Sequence, residues 1–193
     1  MNLPNKLTIS RIFLTFVFMF LLFSEGSVMK LSALIVFLLA SATDYLDGKI
    51  ARERNEITDF GKFMDPVADK FLTIAAFVAF VEMGLAPAWM VVLIISRELI
   101  MTGIRLFAAT RGKILCAEAA GKHKTVSQVV AIFAILVFIS LRSFGIDTLE
   151  FWSNSLEYWF RQLIFVLMII TVSLTLVSGI SYLWRNRGMF SNA

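Results

Sequence analysis

The sequence has very little of the chemistry that cross-links small proteins or builds histidine-based metal sites. Its 193 residues include one cysteine and one histidine. A disulfide needs two cysteines, so Cys116 cannot form one within the chain. His123 alone cannot build a histidine-based zinc site. Charged residues are also scarce, at 17% of the chain, against roughly 25% in an average soluble domain.

Apolar residues are what the sequence has in excess. They make up 59% of the chain, and the mean hydropathy is +0.81, whereas an ordinary soluble domain is roughly 45–50% apolar. A water-soluble fold has no interior large enough to hide that much apolar surface, so the expected solvent is lipid. The length fits a single domain covering residues 1–193. We therefore predict an all-α integral membrane protein.

Six charge-free runs punctuate the chain, at residues 12–24, 31–43, 71–81, 83–96, 125–141 and 162–184. A spanning helix needs about 20 residues, with a range of roughly 17–25, and only the last two runs reach that range unaided. Turns nevertheless separate the runs: SEGS follows the first, EMGLAP with Gly84 and Pro87 follows the third, and the segment from Arg142 to Arg161 follows the fifth. We predict six transmembrane helices that continue past the lipid and carry polar residues on their extensions.

Lysine and arginine are distributed unevenly between the two sides of this arrangement. With the N-terminus inside, 15 of the 18 lie on inner segments, and the outer side holds Lys30, Arg142 and Arg161. Basic residues favour cytoplasmic loops, so we predict a multi-pass protein of the cell membrane with both termini in the cytoplasm. The sequence pI near 9.4 then reflects this orientation and contact with anionic membrane lipids, and does not indicate nucleic-acid binding.

The segment from residue 42 to residue 71 holds seven of the chain's 14 acidic residues. Asp44 and Asp47 are three apart, and Asp65 and Asp69 are four apart, so on helices each pair shares one face. If the second and third helices are neighbours, four carboxylates converge at the cytoplasmic surface, where they repel one another unless a cation intervenes. Mg²⁺ prefers such oxygen ligands. The alternative is a solvated loop of ion pairs, which we prefer for the remaining acids, Glu53, Glu56 and Asp59.

Residues 44–52, DYLDGKIAR, and residues 61–69, GKFMDPVAD, together read D-x2-D-G-x2-A-R-x8-G-x3-D-x3-D. This pattern resembles the signature of the CDP-alcohol phosphotransferase family, and no position departs from it. The resemblance implies that a CDP-linked lipid gives its phosphatidyl group to an alcohol while CMP leaves. It also extends to the length of the chain and to six membrane helices.

Site residues follow from the same resemblance. It implies that Asp44, Asp47, Asp65 and Asp69 hold one or two divalent ions, Mg²⁺ or Mn²⁺, and that Asp69 is also the general base for the acceptor hydroxyl. It places further residues beside the CDP-lipid donor: Asn5, Thr8, Arg11, Gly48, Ala51, Arg52, Thr58 and Gly61.

A second group of charges bears on the acceptor alcohol. Basic residues cluster between residues 97 and 124, and the bias of cytoplasmic loops toward Lys and Arg explains only part of them. Arg97 and Glu98 directly follow the apolar run VVLIIS, and a cationic pocket there suits a phosphorylated acceptor. The segments NLPNKLTISR and GKHKT resemble the phosphatidylglycerophosphate synthase branch of the family, which uses CDP-diacylglycerol and sn-glycerol 3-phosphate. The candidates for the acceptor phosphate are Arg105, Lys122 and Lys124, with Arg97 and Arg111 behind them.

Several alternatives remain open at this point. Within the family, the acceptor could be serine, inositol phosphate or a phosphatidylglycerol, the last of which would make the chain a cardiolipin synthase. Outside it, clustered membrane carboxylates also occur in cation transporters, although no internal repeat of the kind that builds many transporters is present. The resemblance alone is the basis for expecting a homodimer.

Overall fold

The computed structural model describes the backbone of residues 3–54, 59–110, 119–147, 152–185 and 187, and the side chains of residues 9–42, 70–108, 110, 124–146, 152–185 and 187. The described residues form six helices and no strand. The helices are α1 (Leu3–Phe23), α2 (Ser27–Arg54), α3 (Asp59–Glu82), α4 (Ala88–Thr110), α5 (Ala119–Asp147) and α6 (Asn154–Arg185).

Two of the predicted turns depend on glycines with positive φ. Gly26 has φ of +95° between α1 and α2, and Gly84 has φ of +65° after α3, a conformation that residues with a Cβ rarely adopt. At the first turn, Lys30 Nζ donates to Leu22 O at 2.6 Å, which satisfies a carbonyl at the end of α1. At the second turn, Leu85 N donates to Phe80 O at 2.9 Å, and α4 begins directly after Pro87. Both predicted turns are confirmed.

The helices extend well beyond the charge-free runs, as predicted. α2 continues to Arg54 and α4 continues to Thr110, so polar and charged residues lie on the helices themselves. The expected break from Arg142 to Arg161 was too long, because α5 ends at Asp147 and α6 begins at Asn154. Ser153 caps the start of α6, since its Oγ accepts a hydrogen bond from the backbone nitrogen of Leu156 at 3.3 Å.

The packed helix pairs form a closed ring in the order α1, α2, α5, α6, α4 and α3, and α3 also contacts α5 across it. Large apolar side chains fill the interior, and those of Phe18, Phe37, Phe77, Phe80 and Phe138 are fully buried. Because consecutive helices are not always neighbours in this ring, residues distant in sequence meet inside it.

The outer surface of the ring is also apolar. Phe13, Phe20 and Trp159 are 66%, 71% and 69% exposed, in the company of many aliphatic side chains, and exposed apolar surface of this extent marks contact with lipid or partners. The segments Lys124–Ile146 and Asn154–Arg185 are long and apolar enough to cross a membrane, whereas Ile9–Phe23 and Ser27–Ala42 are shorter apolar helices. These features fit a helical membrane protein. Six membrane crossings and cytoplasmic termini stay predictions.

Candidate active site

The four paired aspartates lie on the C-terminal half of α2 and the N-terminal half of α3. Among the packed helix pairs of the described residues these two helices are not direct neighbours, because α1 lies between them in the ring. Asp44 is ten residues before the end of α2, and Asp69 is ten residues after the start of α3. At the helical rise, both are therefore about 15 Å along the helix from the connection between α2 and α3. Asp47 and Asp65 lie nearer that connection at similar heights. By their positions along the two helices the pairs are therefore matched, while their side chains lie outside the described residues.

Helices α2 and α3 share two neighbours. Each of the two packs against both α1 and α5. The donor set would be carboxylate oxygen alone, which is the set that Mg²⁺ and Mn²⁺ accept. No cluster of metal-binding side chains occurs among the described side chains, and those exclude all four aspartates. The residues present therefore fit the metal that the signature implies.

A buried ion cluster lies beside this region, centred on Glu98 of α4. Glu98 Oε2 accepts a hydrogen bond from Lys70 Nζ at 2.7 Å, and Oε1 accepts one from Arg97 Nη1 at 3.2 Å and another from Lys124 Nζ. The side chains of Glu98 and Lys124 are each 7% exposed. We call Lys70, Arg97, Glu98 and Lys124 the Glu98 cluster. It contains three cations and one carboxylate.

Helix α6 contacts the Glu98 cluster at Arg97. Arg97 Nη2 donates to Ser178 Oγ at 2.9 Å. A Cβ added at the neighbouring Gly179 would lie 3.2 Å from Arg97 Cγ, so the glycine lets the arginine side chain cross the face of α6 closely. Arg97 is thereby fixed between α4 and α6.

The Glu98 cluster joins four helices: the middle of α3, the middle of α4, the start of α5 and the last third of α6. Lys70 directly follows Asp69 in sequence, so the cluster begins one residue from the last aspartate of the signature. The predicted acceptor residues Arg97 and Lys124 are therefore brought together, next to the acidic end of α3.

Other predicted residues are more separated or lie outside the described side chains. Arg105 is exposed, and its Nε donates to Met101 O at 3.4 Å, so it does not join the Glu98 cluster. Arg11 is 6% exposed and lies on α1, where its backbone oxygen accepts from Thr15 Oγ1 at 2.9 Å. The donor and acceptor candidates whose side chains are outside the described residues are Asn5, Thr8, Gly48, Ala51, Arg52, Thr58, Gly61, Arg111 and Lys122.

Two parts of the site were not predicted from the sequence: the polar stripe of α6 and the contact of Lys70 with Glu98. Thr171, Thr175 and Ser178 are all buried and recur at helical spacing in an otherwise aliphatic helix. That periodicity could have identified the inner face of α6. On α5, Gln128 lies one turn after Lys124 and is 4% exposed. Within the described part of the chain, Gln128 Nε2 and Thr175 Oγ1 have no hydrogen-bond partner. Two buried polar atoms close to the cluster therefore make no hydrogen bond to the described residues.

Comparison with known proteins shows which family the sequence resembles. The sequence profile described as CDP-alcohol phosphatidyltransferase matches residues 1–184. A protein of Bacillus subtilis (strain 168) named CDP-diacylglycerol–glycerol-3-phosphate 3-phosphatidyltransferase is 40% identical, over 96% of this chain and 95% of its own length. A protein of the same name from Rickettsia typhi is 33% identical over 94% of each chain.

A third relative, from Mycobacterium tuberculosis (strain H37Rv), is named a probable phosphatidylglycerophosphate synthase and is 41% identical over 68% of this chain and 64% of its own. The resemblance read from the aspartate signature is thus confirmed over nearly the whole sequence, and so is the prediction of an enzyme rather than a cation transporter. This chain belongs to the CDP-alcohol phosphatidyltransferase family.

Proposed function

We propose that the enzyme transfers the phosphatidyl group of CDP-diacylglycerol to sn-glycerol 3-phosphate, giving phosphatidylglycerophosphate and CMP. The observation that carries the proposal is the 40% identity, over nearly the full length of both chains, to a relative named for that reaction. The Glu98 cluster supports it independently, because a surplus of buried positive charge suits an acceptor that carries a phosphate.

In the proposed reaction, the acceptor hydroxyl oxygen attacks the phosphorus that bears the diacylglycerol. A new phosphorus–oxygen bond forms, the bond to the bridging oxygen of CMP breaks, and CMP leaves with that oxygen. Asp69 takes the hydroxyl proton as general base, which typically contributes about 10²–10⁴-fold to a rate. Asp44, Asp47, Asp65 and Asp69 would hold the divalent ion, which when bound supplies positive charge to the pyrophosphate.

The donor lies against the first three helices in this proposal. Gly48, Ala51 and Gly61 are small and leave room for the cytidine diphosphate beside the backbone, and Arg52 can pair with a phosphate oxygen. Arg11 reaches the same region from α1. The remaining proposed contacts to the CDP-lipid come from Asn5, Thr8 and Thr58.

The acceptor phosphate is proposed to bind between the start of α5 and the middle of α4. Lys124 provides a buried cation there and Arg97 a partly buried one. Further charge in the proposed site comes from Arg105, Arg111 and Lys122. Glycerol 3-phosphate needs only a site for a dianion, whereas serine would need separate partners for its carboxylate and its amine. The cations of the Glu98 cluster form a site that suits a dianion.

The proposed setting is a multi-pass arrangement in the cell membrane. All six helices cross it, both termini are cytoplasmic, and the aspartates face the cytoplasm, where glycerol 3-phosphate is soluble. We further propose a homodimer, to be checked by the mass of the protein–detergent complex in solution.

The decisive experiment is CMP release by the purified enzyme in detergent, with CDP-diacylglycerol present throughout. Mg²⁺ and glycerol 3-phosphate are each added or omitted, and EDTA serves as the metal-free control. Release that requires both additions is expected. Release with serine, inositol phosphate or phosphatidylglycerol instead would change the acceptor, and release that persists in EDTA would contradict the metal assignment.

A further inference from the structure

Glu98 connects the two halves of the proposed reaction site. Through Oε2 it holds Lys70, the residue that follows the proposed general base Asp69, at 2.7 Å. Through Oε1 it holds Lys124, a proposed ligand of the acceptor phosphate. One carboxylate therefore fixes a point on α3 and a point on α5 with respect to each other.

The orientation of Glu98 is itself fixed. Arg97 Nη1 contacts Oε1 at 3.2 Å, and the same guanidinium is anchored to α6 by the 2.9 Å hydrogen bond to Ser178 Oγ. Both carboxylate oxygens are thus engaged by cations from three helices. A side chain held by hydrogen bonds from several directions can position a neighbour far more narrowly than a mobile one.

The charges in the cluster do not cancel. Among the described side chains, three cations surround one carboxylate, so the four residues of the cluster carry a surplus of two positive charges, and Glu98 and Lys124 are nearly inaccessible to solvent. Unpaired buried charge is costly, and a phosphate monoester dianion would balance this surplus. Without the carboxylate, three like charges would repel one another and Lys124 would leave its place.

We propose that Glu98 is a positioning residue for the transfer reaction. It holds Lys124 and Lys70 in a preset arrangement, so that the acceptor's phosphate is bound at a fixed distance from Asp69. The proposal rests on the proposed function for the nature of the acceptor. Holding two substrates in the reactive orientation before the reaction begins is a large part of what enzymes contribute to reactions of this kind.

Two substitutions at one position separate positioning from mere structural support. Glu98→Gln removes the charge and keeps the shape, and Glu98→Asp keeps the charge on a side chain that is one methylene shorter. We expect Glu98→Gln to raise the KM for glycerol 3-phosphate by about tenfold, the scale of one charge-assisted hydrogen bond. The KM for CDP-diacylglycerol should stay within about twofold. For Glu98→Asp we expect an intermediate rise of about threefold in the acceptor KM, because the charge that holds Lys124 is retained.

Glu157 offers a matched control at the other end of the bundle. It also pairs with two cations, Arg142 at 3.2 Å and Arg161 at 2.9 Å, but it lies far from the proposed site. Glu157→Gln should leave both KM values unchanged.

Three results would overturn the positioning role. A fall in kcat that is fully accounted for by a smaller folded fraction, with neither KM changed, would indicate structural support alone. An equal rise in both KM values would show no selectivity for the acceptor. A lower acceptor KM in Glu98→Gln would make Glu98 a competitor of the acceptor phosphate.

Folding and acceptor identity can each be separated from the result. If Glu98→Gln yields no folded protein, Glu98→Asp decides alone, and an unchanged acceptor KM in it contradicts the proposal. If the wild-type enzyme uses inositol phosphate instead of glycerol 3-phosphate, the proposed function fails. The same comparison of KM values with that acceptor still tests Glu98.

Discussion

Asp69 is the single residue on which the proposed chemistry depends most. Replacing it with asparagine keeps the size of the side chain and removes its ability to take a proton. We expect Asp69→Asn to lower the rate of CMP release at least about 10²-fold, the lower end of what a general base contributes. The measurement is the initial rate at saturating CDP-diacylglycerol, glycerol 3-phosphate and Mg²⁺.

A matched control for this substitution is Asp59→Asn. Asp59 begins α3, and asparagine is as good as aspartate at the start of a helix. We assigned Asp59 to a solvated surface, so its variant should retain near wild-type turnover. Near-normal turnover in Asp69→Asn, with thermal unfolding like that of the wild type, would show that another group takes the proton.

Arg105 is exposed, unlike Arg97 and Lys124, the other two acceptor candidates whose side chains the structure describes. If it binds the phosphate of glycerol 3-phosphate, Arg105→Ala removes a charge-assisted hydrogen bond worth about 1.5–3 kcal/mol. The acceptor KM should then rise about tenfold or more, with a smaller change in the KM for the lipid donor. Arg185→Ala, which removes the same charge from the last turn of α6, is the control. Equal effects of Arg105→Ala on both substrates would remove it from the acceptor site.

What the sequence could show about single residues depended on spacing along one helix. The aspartate pairs are visible because residues three and four apart share a face, and the signature extends that pattern. Two of the three partners of Glu98, Lys124 and Lys70, are 26 and 28 residues away in sequence. No local pattern selects these two lysines from the other basic residues, because their meeting depends on how α3, α4 and α5 pack.

The packing of α4 against α6 can be tested with a single substitution. Gly179 lets Arg97 cross α6, and any Cβ there would approach Arg97 Cγ to 3.2 Å. Arg97 has little room to yield, because Glu98 and Ser178 hold its guanidinium. We expect Gly179→Leu to lower the free energy of unfolding by about 1–3 kcal/mol, the usual cost of overpacking. Thermal unfolding in one detergent measures this change.

Gly103 on α4 provides the comparison for Gly179. A Cβ added at Gly103 meets nothing within 4 Å, so Gly103→Leu should be neutral or should stabilise the helix by up to about 1 kcal/mol. Equal destabilisation by the two substitutions would mean that the close passage of Arg97 is not what Gly179 provides.

The sequence predicted the number of helices and the turns between them better than it predicted the lengths of the helices. Positive φ at Gly26 and Gly84 has a direct sequence cause. The ends of the charge-free runs do not mark helix ends, because lysine, arginine and glutamate favour helix nearly as well as leucine does. Thus α2 runs on through Asp44 and Asp47 to Arg54, and the metal-site candidates lie on helices rather than on a loop.

The order of the helices around the ring belongs to the whole molecule and could not be predicted from the sequence. The neighbours of α5 are α2, α6 and α3, although only α6 follows or precedes it directly among them. In lipid, apolar side chains on every face of a helix are tolerated, so amphipathic patterning no longer indicates which face is inside. The buried polar residues Thr171, Thr175 and Ser178 of α6 are the exception, because they mark its inner face.

Two groups of charges lie at opposite ends of the bundle. Arg142, Glu157 and Arg161 pair near the start of α6, and Arg161 Nη1 also donates to Gly84 O at 3.5 Å. The Glu98 cluster is anchored near the other end of α6, at Ser178. Arg161 and Ser178 are 17 residues apart on α6, which is about 25 Å at the helical rise. The hydrocarbon core of a bilayer is about 30 Å thick, so the two groups suit opposite boundaries of one membrane.

This separation leads to a prediction about orientation. The chain has one cysteine, Cys116, so Cys116→Ser gives a background for placing single cysteines. In intact bacterial cells, a membrane-impermeant maleimide should label Glu25→Cys, which lies in the exposed turn between α1 and α2. It should label Ser191→Cys only after the cells are permeabilised, because basic residues such as Arg185 and Arg187 favour the cytoplasmic side of a membrane. Permeabilised cells control for the reactivity of each cysteine.

The reverse labelling pattern would show that the bundle has the opposite orientation, with the aspartates outside and away from cytoplasmic glycerol 3-phosphate. Labelling of both cysteines in intact cells would mean that an even number of crossings separates the turn from the C-terminus, instead of the predicted five.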